Sequence, residues 1–227
     1  MEEKLRLAWK DPRSRSGAKA LLLALSSVFF SPVVTGIAGF VFYFFPFAFS
    51  FEFLGSLIAL GIAFFSLQAV FSPVFLAIVL ALLFFILLGV KNVFLAKRKE
   101  GYFAFALIVC LGIITAFFAG NLPLIISGIA LGLVFKDLFI SFTGFPGRQV
   151  FLSFVLGFIS IEILWAVSYL GLSPFVSVLS SSLLIFPAAV TLFAHLRGNL
   201  FRDGLIPRLV SIGFVGILIA FMGAFGK

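Results

Sequence analysis

Polar positions punctuate this chain rather than alternate through it. Apolar stretches run approximately over residues 20–45, 51–71, 74–90, 102–119, 123–142, 150–170, 174–194 and 209–225, with short clusters of Pro, Gly, Lys and Arg between them. A helix needs about twenty apolar residues to cross roughly 30 Å of hydrocarbon, and each stretch comes near that length. Phe75 to Val90 is continuously apolar, whereas a membrane barrel strand would alternate with polar lumen residues. The pattern predicts an all-α fold, a polytopic transmembrane helix bundle of about eight spans.

The steps Ser72-Pro73 and Ser173-Pro174 lie 101 residues apart, and each opens an apolar span followed by a basic loop and a last span. This internal repeat divides the chain into two four-span halves, residues 20–119 and 120–227, behind a basic N-terminal segment, residues 1–19. Because four is even, the halves would share one orientation, as in parallel-repeat transporters. Counting crossings puts the loops at Lys91–Lys99, Lys136–Arg148 and His195–Arg208 on one side, with nine of the sixteen basic residues. The opposite connections, Gly120–Leu122 and Gly171–Ser173, carry none, so the basic side is expected to be cytoplasmic. Eight crossings leave the six basic residues of the N-terminal segment on the far side. Were the stretch before Pro46 a re-entrant hairpin bent at Ser31-Pro32, seven segments would cross and fifteen basic residues would share one face. Charge favours seven and the repeat favours eight. Eight is the reading adopted, because a half-helix of about a dozen residues is short for this chain.

Composition strengthens the membrane reading. Of 227 residues, 63% are hydrophobic and 11% charged, against roughly 45–50% and 25% in soluble domains. So few charges cannot cover a water-facing surface. The 35 phenylalanines suit acyl chains, since a ring without a polar atom needs no hydrogen-bond partner there. The net charge of +8 sits in short clusters flanking apolar runs, a distribution that excludes a nucleic-acid face and points to orientation by charge, with anionic membrane lipids as partners. The lone Cys110 permits no intramolecular disulfide. A basic start followed by an apolar run to Phe45 reads as an uncleaved anchor rather than a signal peptide, with Glu2 to Trp9 lying in the interface.

Candidate chemistry is sparse. Glu162 lies mid-way along the sixth span between Ile161 and Ile163. A charge there costs about 2.5–3.5 kcal/mol, so an inward-facing carboxylate with a partner, or a protonated one, is expected. It reads either as an ion, proton or substrate contact or as a packing hydrogen bond between helices. Lys136 and Asp137 on the fifth span are the obvious titratable neighbours, although helical rise sets Lys136 about 10 Å from Glu162 in depth. Ser177 and Ser181, with Ser173 and Ser180, share a stripe of the seventh span and complete this candidate polar site. Gly128 and Gly132 make a small-xxx-small pair that lets another helix come close. His195, Arg197, Arg202 and Arg208, with Asp203, gather in one loop as candidate contacts for an anionic headgroup. The sequence shows no metal-ligand spacing, phosphate loop, nucleophile elbow or paired carboxylates, and we assign no catalytic residue and no cofactor.

The segment from Glu162 through Trp165 and Ser173-Pro174 to His195-Leu-Arg-Gly-Asn-Leu-Phe-Arg resembles an uncharacterised family of small polytopic membrane proteins from candidate-phylum bacteria. The stretch Lys91-Asn-Val-Phe-Leu-Ala is similar too, and the resemblance covers about half the chain. That family commonly carries an acidic residue where Lys91 stands here, so no shared polar role is carried over at that position. The resemblance implies a multi-pass protein of a bacterial cytoplasmic membrane and brings no activity with it. The expected function is non-enzymatic: a structural or accessory component of a membrane assembly, touching a protein partner or a second copy, or a handler of lipid or envelope intermediates. A small transporter or flippase coupled through Glu162 is the alternative, and an enzyme acting on lipid-linked phosphate is the third.

Overall fold

A computed structural model describes residues 11–44, 53–91, 98–143 and 146–196. The described residues form eight α-helices and no strand, in agreement with the all-α expectation. The chain divides into two compact units, Met1–Ile108 and Val109–Lys227, and the boundary falls inside a helix.

In the first unit, α1 (Pro12–Phe29) starts on an Asp11 cap whose side chain accepts from the Arg13 N–H, with Pro12 in the first turn, where its missing N–H removes no bond. It stops at Phe30, which is extended, and α2 (Pro32–Phe44) starts after it. Pro32 explains the stop. Its ring would clash with the preceding turn, and it pushes Ser31 out of helical geometry. The two helices then run back along each other. Lys19 Nζ donates to Phe42 O at 3.0 Å, Thr35 Oγ1 donates to Ser26 O at 3.2 Å, and a Cβ on Gly39 would lie 3.5 Å from Leu23. Of the stretch 20–45, expected as one span, the described residues 20–44 therefore belong to a helical hairpin bent at Ser31-Pro32, the alternative that charge favoured. A hydropathy pattern registers how apolar a stretch is and is blind to its reversal. With 13 residues, α2 is about 20 Å long, well short of the hydrocarbon thickness.

Helix α3 (Leu54–Leu67) and helix α4 (Pro73–Lys91) follow, the latter capped by Ser72, whose hydroxyl accepts from the Phe75 N–H at 3.4 Å. Small residues on α1, Ser16 and Ala20, are buried, and a Cβ on Gly17 would meet Phe85 of α4 at 3.9 Å. Helix α5 (Arg98–Phe118) hydrogen-bonds back to α3 through Tyr102 and Ser56. It ends where Gly120, at φ +76, lets Asn121 N–H reach Ala116 O and its own N–H reach Phe117 O. That pair of bonds satisfies the last carbonyls and needs the left-handed conformation glycine adopts freely.

The second unit contains α6 (Leu124–Thr143), α7 (Pro146–Ser168) and α8 (Pro174–Leu196). Gly128 and Gly132 do bring a helix close, and the structure identifies its partner as Gly157 on α7. A Cβ on Gly157 would stand 3.0 Å from Gly128 O and 3.3 Å from Gly132 Cα, so these two antiparallel helices touch backbone to backbone. Without water to expel, such close packing is a main source of helix association in lipid. Helix α8 continues through Pro187, and Thr191 Oγ1 donates to the Pro187 carbonyl at 2.8 Å.

Five described helices are long and apolar enough to cross a membrane: α4, α5 over Gly101–Phe118, α6 over Leu124–Ser141, α7 over Gln149–Ser168 and α8 over Pro174–Leu192. Helices α2 and α3 are apolar but shorter. The expected interfacial stretch Glu2–Trp9 and the last expected span, 209–225, lie outside the described residues.

The glycine contact is testable. Gly157→Ala places a methyl group against backbone that cannot swing aside, so it should cost about 1–3 kcal/mol, read as a lower melting temperature of the purified protein in detergent. Gly147→Ala, with open space around its Cβ, should stay within about 0.5 kcal/mol of the parent.

Candidate functional site

Helix α7 has two faces of opposite character. Gln149, Ser153, Leu156, Ser160 and Leu164 are buried toward its neighbours, with Gly157 among them. Phe151, Phe154, Phe158, Trp165 and Tyr169 are exposed by 50–73% on the other side. Their spacing keeps a single stripe along the helix. Glu162 belongs to that stripe and is itself exposed. The expected inward-facing carboxylate is therefore on the outer face of its unit.

Depth makes this position demanding. Glu162 is six residues before the end of the apolar stretch Gln149–Ser168, about 9 Å inside it at 1.5 Å per residue. Side chains of a helix lean toward its N-terminus, so the carboxylate is aimed deeper into the span and away from the nearer interface.

The other members of the expected polar site are not gathered around it. Lys136 Nζ pairs with Asp137 Oδ1 at 3.3 Å, and Asp137 is buried. The α6–α7 register sets Gly132 against Gly157, which puts Lys136 level with Ser153, about 13 Å along the axis from Glu162. Ser177 and Ser181 are buried on α8. The Ser177 hydroxyl lies 3.5 Å from Leu172 O, while those of Ser180 and Ser181 have no hydrogen-bond partner among the described atoms. His195 falls in the last turn of α8 with its side chain outside the described part, and Arg197, Arg202, Asp203 and Arg208 lie outside the described residues.

Sequence reasoning missed a basic cluster at one end of the first unit. Lys91, counted as a loop residue, is largely buried at the end of α4. Its ammonium donates to Tyr43 O at 2.8 Å and sits 3.6 Å over the Tyr43 ring. Lys19 reaches Phe42 O on the same turn of α2. A helix C-terminus presents unsatisfied carbonyls and the negative end of the dipole, which suits cations, and the ring face adds a cation–π contact. The signal available was position alone, a lysine closing an apolar run.

The first unit also holds an apolar cleft of about 290 Å³ between α1, α2, α3 and α4, lined by Leu23, Gly36, Phe40, Gly61, Phe65 and Leu80 among others. Among the described residues no three His, Cys, Asp or Glu side chains come together.

Five membrane-length apolar helices, among described residues that form helices and no strand, mark a multi-pass membrane protein. No family model, curated protein or solved structure matches the chain.

Lys91→Met should remove the charge-assisted bond to the Tyr43 carbonyl at the end of α2. The expected loss is about 1.5–3 kcal/mol, measured by thermal or denaturant unfolding in micelles, with Lys91→Arg retaining part of it.

Proposed function

We propose that this protein is a non-enzymatic component of a membrane assembly and that the outer face of α7 is where it docks. The observation that carries the reading is Glu162, exposed on an otherwise aromatic stripe inside the apolar stretch. Phenylalanine is content in lipid, but a carboxylate there costs about 2.5–3.5 kcal/mol. A helix packed over the stripe that offers a donor removes that cost and hides the rings as well. The bacterial cytoplasmic membrane as the setting rests on the resemblance of the Glu162–Trp165 and His195–Arg202 segments.

Lipid handling is the second reading. It draws on the apolar cleft in the first unit, which Gly36, Gly39 and Gly61 help to line.

For topology we favour seven crossings. The antiparallel α1–α2 pair brings Lys19, the end of α2 and Lys91 to one end of the first unit, which supports a re-entrant hairpin with the basic N-terminal segment on the same side as Lys91. Fifteen basic residues then share the cytoplasmic face.

Two measurements check these readings. Glu162→Ala should reduce the assembly extracted in mild detergent to the single chain while leaving the melting temperature of that chain unchanged or higher. If the assembly survives and an uptake phenotype disappears, the transporter alternative takes its place. In a Cys110→Ala background, Ser173→Cys should react with a membrane-impermeant maleimide on intact cells and Ser14→Cys should not; labelling at both positions returns the count to eight.

A further inference from the structure

The cleft in the first unit and the basic cluster at its end form one continuous feature. Thr35 carries the one polar side chain among the residues that line the cleft, and its hydroxyl donates to the carbonyls of Ser26 and Ser31. A Cβ on Gly36, near the start of α2, would stand 3.1 Å from Phe65, near the end of α3, so the two helices pass in opposite directions along the cleft. Counting back along α3 at about 1.5 Å per residue, Leu57 and Ile58 come level with Phe42 and Tyr43. The carbonyls of those two residues hold the ammonium groups of Lys19 and Lys91, at 3.0 and 2.8 Å. On α1, Leu23 lines the cleft one turn from Lys19, and Arg15 stands one turn further out, near enough to act on Lys19 as a like charge. The cleft therefore runs from a cationic end into an apolar interior.

Length and charge select the occupant. From Leu57 to Phe65 the α3 wall is about 12 Å long, within the roughly 15 Å of hydrocarbon that one leaflet contributes. Phe40, Ile58 and Phe65 are 37–46% exposed, so the cleft opens sideways, where acyl chains are. A carbonyl partner does not neutralise an ammonium, and a guanidinium fork suits phosphate oxygens, so this end attracts an anionic head. A free phosphate would leave the apolar walls unused, and an uncharged chain would leave the cations unused.

We propose that the first unit binds an anionic phospholipid, with one acyl chain in the cleft along Leu57, Gly61 and Phe65 and the phosphate against Arg15 and Lys19 at the end of α2. The inference rests on the lipid-handling reading above and goes further by naming the lipid class and the residues that select it.

The test uses the full chain in phosphatidylcholine vesicles that contain a trace of phosphatidylglycerol bearing a diazirine on one acyl chain, with the matching phosphatidylcholine probe for comparison. After irradiation and digestion, the phosphatidylglycerol probe should label the cleft walls, residues 36–40 and 57–65, at least fivefold more than the phosphatidylcholine probe does on the same unaltered chain. Gly61→Leu, which fills the cleft, should reduce that labelling at least fivefold. Arg15→Gln combined with Lys19→Gln should lower it to the phosphatidylcholine level, whereas Lys19→Arg should retain it. Equal labelling by the two probes overturns the headgroup site and leaves the lipid-handling reading standing. Walls that neither probe labels, as when another stretch of the chain fills the cleft, overturn both. A Gly61→Leu chain labelled as strongly as the parent overturns the cleft as the seat of the acyl chain.

Discussion

Lipid offers no hydrogen bonds, so each polar atom inside a span has to find its partner within the protein. Helices solve this for the peptide groups, and many of the described hydroxyls solve it the same way. Ser26, Ser141, Ser153, Ser160, Ser182 and Thr191 each donate to a carbonyl three or four residues back in their own helix, at 2.7–2.8 Å. A serine bonded to its own backbone is in effect a small, nearly apolar residue, and it can face a neighbouring helix without asking anything of it. The serine-bearing face of α7 is thus compatible with close packing, and its small residues pack inward while its aromatic rings point out.

Charged groups divide by whether they give or accept a proton. A helix has spare acceptors along its length, because each carbonyl oxygen keeps a second lone pair, and wholly free ones in its last turn. Lys19 and Lys91 use that supply, reaching the carbonyls of Phe42 and Tyr43 at the end of α2. A carboxylate needs donors, and the N–H groups of a helix beyond its first turn are already committed. Asp137 meets this need with the adjacent Lys136. Glu162 stands far from the first turn of α7, so no backbone N–H of that helix is spare for it. An acceptor in the middle of a span is therefore harder to satisfy than a donor at its end.

The same logic explains what could be read from the residues alone. Apolar runs located α4 through α8 well, since length and composition are what the bilayer selects for. The Ser-Pro steps marked the starts of α4 and α8, because proline suits a first helical turn. Gly128 and Gly132 announced a close contact, yet nothing local named Gly157 as the other side, since α7 also offers small residues at Ser153 and Ser160. The α1–α2 hairpin was favoured by charge and set aside for the repeat, because its two limbs are as apolar as one span. The role of Lys91 escaped because a lysine ending a run reads equally as a loop residue; only the return of α2 gives it a carbonyl and a ring to hold.

The orientation of Glu162, by contrast, follows from a packing fact elsewhere on its helix. Gly157 has to face α6, since its Cβ would meet the backbone of Gly128 and Gly132. That one contact fixes the rotation of α7 about its axis. Five residues further on, at roughly 100° per residue, Glu162 comes around to roughly 140° from Gly157, and the buried residues Ser153, Ser160 and Leu164 fall on the Gly157 side. The helix cannot turn its carboxylate inward without pulling the glycine seam apart. The close contact that holds the second unit together is thus also what obliges the unit to present an acid on its outer face.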